Sequence, residues 1–187
     1  RQRAVVVRGQ HIITAEQLEV LAFGHDTVIP DGRSLQRTID QAESQKARVI
    51  IPWGAGKWLG KRGALLRAIV EDAAPSTVCL GDNGGRPWCW QVPHFSLADK
   101  RNIKVLRGSD PLPVKGDHRR IGTYGSAFHG SLAPLSPWRD LSTIIGDEDA
   151  APMPVGSQMG VSGFVLSQSA LRMPGRKVAD SVVNQVG

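Results

Sequence analysis

The stretch "RVIIPWGAGKWLGKRGALLRAIVEDAAPSTVCLGD", residues 48 to 82, decides the fold. Its opening RVIIPW (48–53) is aliphatic and β-branched, which reads as a buried strand. A glycine-rich basic loop follows. Leu65, Leu66, Ile69, Val70 and Ala73 then recur on one helical face until Pro75 stops the helix. TVCLGD (77–82) is the next strand. Strand, helix and strand in that order predict a parallel pair, because parallel neighbours need a crossover.

The same alternation extends in both directions. Downstream, NGGRPWCWQVP is a loop, residues 95–102 a short helix and IKVLRGSD (103–110) another strand. Upstream, RAVVV (3–7) and LEVLAF (18–23) read as strands, and Ser34 caps a helix that puts Leu35, Ile39 and Ala42 on one face. Ser136 and Pro137 open a further helix with Trp138, Leu141 and Ile145 on one side. The expected architecture is α/β, with mainly parallel strands alternating with helices in a sheet or barrel. Residues 1–149 make up the α/β domain, and the Gly/Ser/Met/Pro-rich segment 150–187 an irregular extension that packs on it or trails from it.

The totals suit a globular protein: 41% hydrophobic and 21% charged residues, with 21 glycines and 12 prolines that imply many loops. No apolar run reaches the roughly 20 residues of a membrane helix, and the first residues do not read as a signal peptide. A cytoplasmic protein without a membrane partner is the expectation. Cys79 and Cys89 lack the spacing of a zinc or redox motif and read as core thiols. The net charge of +6 is spread along the chain without a Lys/Arg block, so nucleic acid is a disfavoured partner. Nothing in the sequence sets the oligomeric state.

In α/β folds ligands bind where the strands end at their carboxyl sides. The three best-defined strands all end in polar, glycine-rich sequence: PWGAGKWLGKRG, GDNGGRP and GSDPLP. That rim would present Asp82 and Asp110, lined by Lys57, Lys61, Arg62 and Arg86. Pro111 is expected to hold Asp110 extended, with Pro113 stiffening the exit; a turn cap is the structural alternative for Asp110, and an Asx-turn for Asp82. A basic glycine loop ahead of a helix can hold an anion, although it lacks the Gly-Lys-Ser/Thr ending of a P-loop. Trp53, Trp58, Trp88 and Trp90 fall in the same loops and suggest an aromatic-walled pocket. Lys115, Arg119, Arg120 and Tyr124 lie in a further basic loop that reads as a mobile flap.

Taken in order, these motifs resemble the PHP family, named for polymerase and histidinol phosphatase. VRGQHIITAEQLEVLAFGHD, VIIPWGAG and KVLRGSDPLP are similar to segments that carry its metal ligands. The resemblance spans roughly residues 3–130. It implies a distorted seven-stranded (β/α) barrel, incomplete here because the opening His-x-His motif is missing; a chain that starts without Met fits a fragment or processed product. It also implies that Asp110 stands at a metal-binding position. His11 takes the place of a bridging glutamate, Glu19 lies near an expected histidine, and Trp53 and Leu112 replace two others. A full metal cluster is therefore not expected, since neither indole nor leucine coordinates a divalent ion. A reduced site for one ion, zinc, manganese or magnesium, could draw on His11, Glu19, His25 and Asp110.

The function these readings imply is hydrolysis of a phosphorylated small molecule. Asp110 and Asp82 would hold the ion or water, Arg62 or Arg86 would steady negative charge, and Lys57, Lys61, Arg86, Trp53, Trp58 and Arg119 would bind the substrate. The alternative is a non-catalytic domain for an anionic metabolite. A single-strand nucleic-acid module using the charge and the tryptophans is a third reading.

Overall fold

The computed structural model describes residues 4–74, 76–112 and 116–172. The expectations for Arg3, Pro75, Pro113, Lys115 and the last residues of the tail lie outside the described residues. No described helix is long and apolar enough to cross a membrane.

Among the described residues, seven strands form one sheet in chain order: β1 (Gly9–Ile13), β2 (Glu19–Phe23), β3 (Arg48–Pro52), β4 (Val78–Asn83), β5 (Val105–Gly108), β6 (Tyr124–Ala127) and β7 (Met153–Gly156). The described residues also form α1 (Leu35–Ser44), α2 (Gly60–Asp72), α3 (Pro93–Lys100), α4 (Pro137–Gly146) and α5 (Val161–Arg172). The expected mainly parallel (β/α) barrel is not what forms. The sheet is open, and only β3/β4 and β4/β5 pair in parallel; β1/β2, β2/β3, β5/β6 and β6/β7 are antiparallel.

Hydrogen bonding in the loops explains the correction. After β2 the chain runs back along β1: Gln10 bonds both Ile29 N–H and Ile29 C=O, Asp31 accepts from Ile13 N–H, and Gly32 N–H donates to Ile13 C=O. Helix α1 then makes a second traverse, so β3 starts at the end where β2 stopped, with Phe23 opposite Arg48. A helix between two strands makes them parallel only when it is the sole traverse. Among the described residues between β5 and β6, the one helical element is a 3-10 turn at Asp117–Arg120, too short to carry the chain back to the other end.

Local chemistry agrees with the sequence more closely. Ser34 Oγ accepts from Arg37 N–H and Glu16 from Leu35 N–H, so two side chains cap α1. Helix α1 buries Leu35, Ile39 and Ala42, and α2 buries Leu66 and Val70. These pack on one sheet face formed by Ile12, Val20, Ala22, Val49, Ile51, Val78 and Leu80. On the opposite face, Ile145 and Leu141 of α4 cover Cys79, Leu106 and Ile50. Strand β4 is therefore shielded on both sides, and Val78 to Asp82 are all buried. Gly24 has φ +77°, and any side chain there would overlap the Trp138 indole of α4.

Two expectations shift. Residues 4–7 do not form the first strand; GQHII does. The segment expected to be irregular carries β7, which extends the sheet, and α5.

Candidate functional site

The sheet face covered by α4 is free of that helix at its other end, where β3, β4 and β5 finish. Side chains alternate along a strand, so His11, Glu19 and Leu21 share this face with Pro52 and Asn83. Helix α5 forms the roof with Met159 before it and Phe164, Ser167, Gln168 and Leu171 along it, which leaves a cavity of about 510 Å³. Trp53, Lys57 and Asp110 complete the wall. Phe164 meets Trp90 edge to face at 5.7 Å, and Trp90 meets Trp53 at 5.5 Å. An aromatic series thus pins α5 to the strand ends.

Inside the cavity, Lys57 Nζ donates to Glu19 Oε1, and His11 Nε2 lies 3.6 Å from the same oxygen. Asn83 Nδ2 donates to Asp110 Oδ2 at 3.1 Å and also to the carbonyl of Trp53. The Asp110 carboxyl is pushed above its ordinary pKa. Desolvation is the main cause and the charge of Glu19 adds to it; His11, Lys57 and the Asn83 hydrogen bond oppose it. Asp110 also has φ 40°, in the left-handed region rather than the extended conformation expected before Pro111. Among non-glycine residues Asp and Asn enter that region most readily, and such strain concentrates at functional sites.

The structure does not bring Asp82 to this cavity. Asp82 follows Leu80 on the helix-covered face, and its neighbour Asn83 takes the place beside Asp110. Arg86 grips Asp82 through Nε at 2.7 Å and Nη2 at 2.9 Å. Tyr124 Oη donates to it at 2.9 Å, and Gln158 Nε2 lies 3.3 and 3.2 Å from its two oxygens. Arg86 also donates to Trp90 C=O and stacks over Phe95. Desolvation and then the Asp82 charge push the Tyr124 phenol up to about 12, so it remains a donor at neutral pH.

The other candidates scatter. Arg62 bonds the carbonyls of Gly56 and Gln17 and braces its own loop. Lys61 and Arg119 are exposed. Trp58 packs in the core against His94 and Phe95. His25 is buried with Nδ1 against Thr27 C=O, outside the cavity. The sequence reading missed Asn83, Gln158 and the α5 side chains; only Asn83, adjacent to Asp82 in GDNGG, carried a signal.

A divalent ion does not fit these residues. Among those described, no group of three or more His, Cys, Asp and Glu side chains is placed to hold one, and Glu19 already has the Lys57 ammonium as its cation. Compared with protein-family models, curated proteins and solved structures, the chain matches none of them.

Proposed function

We propose that the chain hydrolyses a small phosphate ester in the cavity beneath α5, without a resident metal ion. The observation that carries the reading is the meeting of Asp110, Glu19, His11 and Lys57 in one roofed space.

Asp110 is the general base. A raised pKa makes it a stronger base than an ordinary carboxylate. It takes a proton from water as the water oxygen bonds to phosphorus; the ester P–O bond breaks, and the proton passes to the departing oxygen. Lys57 has ammonium protons beyond the one held by Glu19, and these steady the phosphoryl charge together with His11. Ser167 and Gln168 supply neutral polar groups for the substrate's hydroxyls.

The test is a screen of sugar phosphates for phosphate release in the presence of a chelator. Turnover that survives chelation and disappears in Asp110→Asn, with the fold retained, supports the proposal. No turnover with any ester, or an unaffected Asp110→Asn, ends it. The Lys57 ammonium protons that Glu19 leaves free also suit a non-catalytic domain for an anionic metabolite. A thermal shift with sugar phosphates and no turnover identifies that case.

A further inference from the structure

The cavity beneath α5 has two chemically different sides. Its charged groups, His11, Glu19, Lys57 and Asp110, belong to the sheet and to the loops at its strand ends, and they act on one another. Lys57 and His11 meet at Glu19, and the charges of all three reach Asp110. The roof is different. Phe164, Ser167, Gln168 and Leu171 recur at helical spacing, so one face of α5 closes the space. Phe164 and Leu171 are apolar, as are Met159 ahead of the helix and Leu112 on the adjoining wall. Ser167 Oγ already donates to Met159 Sδ at 3.7 Å, so among the described residues the Gln168 amide is the roof's one unengaged side-chain donor.

This division constrains the alcohol part of a phosphate ester. Each hydroxyl taken out of water without a partner weakens binding, so a polyol loses against this roof what a plain ring keeps. The aromatic lining supplies the matching surface. Trp53 and Phe164 both border the cavity and are joined through Trp90 by edge-to-face contacts at 5.5 and 5.7 Å, while the Met159 thioether suits an aromatic edge. The departing oxygen meets a further constraint, because α5 contains no Asp, Glu or His to protonate it. A phenol ionises at about pH 10 and an alcohol nearer to water's value of about 16, so an aryl oxide departs with the least help from an acid.

We infer that this cavity takes an aryl phosphate monoester. The phosphoryl group lies against Lys57 and His11, and the ring lies under α5 between Phe164, Met159 and Leu171, with a place for one polar substituent at Gln168. The inference rests on the hydrolytic reading of the cavity and narrows it. Water adds to phosphorus as the aryl P–O bond breaks, and the proton taken up by Asp110 reaches the aryl oxide after it has left, giving a phenol and inorganic phosphate. Sugar phosphates are weaker ligands and slower substrates of the same site.

The test measures binding of phenyl phosphate and glucose 6-phosphate to Asp110→Asn, where turnover is expected to be lost, and their kcat/KM with the unaltered chain. Phenyl phosphate is expected to bind about tenfold or more tightly than glucose 6-phosphate and to have the higher kcat/KM by a similar factor. Its ring should move the Met159 methyl resonance, assigned through Met159→Leu. Leu171 is 44% exposed, so Leu171→Asn can be made without disturbing the core; it should weaken phenyl phosphate about threefold more than it weakens inorganic phosphate. Phenyl phosphate bound in this pattern but never turned over removes the hydrolytic reading and keeps the ligand class. Glucose 6-phosphate bound and turned over as well as phenyl phosphate overturns the inference and leaves hydrolysis standing. A Met159 resonance unmoved at saturation, or no binding of phenyl phosphate at millimolar concentration, also overturns it.

Discussion

Asp110 concentrates the physical conflict in the cavity: a carboxylate with left-handed backbone, held by one amide and facing Glu19. The sign of its effect on stability follows from its raised pKa. Between the ordinary carboxyl value and the raised one, the folded state binds more protons than the unfolded state, so this group makes folding less favourable as pH rises through that window. Asp110→Asn removes the ionisation and keeps a residue that tolerates positive φ. The variant should melt at or above the wild-type temperature at pH 7, with the difference closing as pH falls below about 4; a pH series of thermal melts measures this. A variant less stable at pH 7 would mean that the charge is stabilising where it stands. The residues themselves were readable in the sequence, but their partners were not. Asp82 and Asn83 differ by one position, and strand parity sends one into the Arg86 network and the other to Asp110. Parity depends on which face the core selects, and that is a property of the assembled sheet.

Helix α5 is an element with a task but little burial: none of its side chains is fully buried, and Phe164 against Trp90 is its aromatic anchor. Phe164→Ala is therefore expected to lower the melting temperature only slightly while accelerating amide exchange through residues 161–172, and to raise KM if the cavity is the active site. Exchange mass spectrometry reads the first effect, and an unchanged exchange pattern would show that other contacts hold the roof. Helix α5 escaped the sequence reading because VSGFVLSQSALR mixes glycine and serines with apolar residues inside a Gly/Ser/Met/Pro-rich segment. Strands β6 (YGSA) and β7 (MPVG) are equally faint, being four residues each with no run of β-branched side chains. By contrast α1 and α2 were legible from apolar residues at helical spacing, and β3 and β4 from short aliphatic runs that end in glycine-rich loops.

For the molecule as a whole, the parallel centre was written locally in strand-helix-strand units, whereas the antiparallel flanks were set by loop bonds such as Gln10 to Ile29 that no periodicity encodes. What joins the centre to the C-terminal flank is the Asp82 network. Strand β4 supplies the carboxylate, β6 supplies Tyr124, and Gln158 reaches in from the chain between β7 and α5. Asp82 is 5% and Arg86 9% exposed. Asp82→Ala would strand a buried guanidinium and deprive Tyr124 and Gln158 of their acceptor, which should destabilise the protein by about 3–5 kcal/mol. Because the network spans both parts, the loss should appear in one cooperative transition, seen alike by tryptophan fluorescence and far-UV circular dichroism in urea. Replacing both partners, Asp82→Leu with Arg86→Met, removes the unpaired charge and should recover much of the loss. Recovery will be incomplete, since Tyr124 Oη remains without its acceptor and Trp90 C=O without its donor. A loss below about 1 kcal/mol for Asp82→Ala would place the pair among solvated ion pairs, and the C-terminal strands would then be held by the sheet ladder and by bonds such as Arg107 to Pro152 C=O and Met159 N–H to Gly84 C=O.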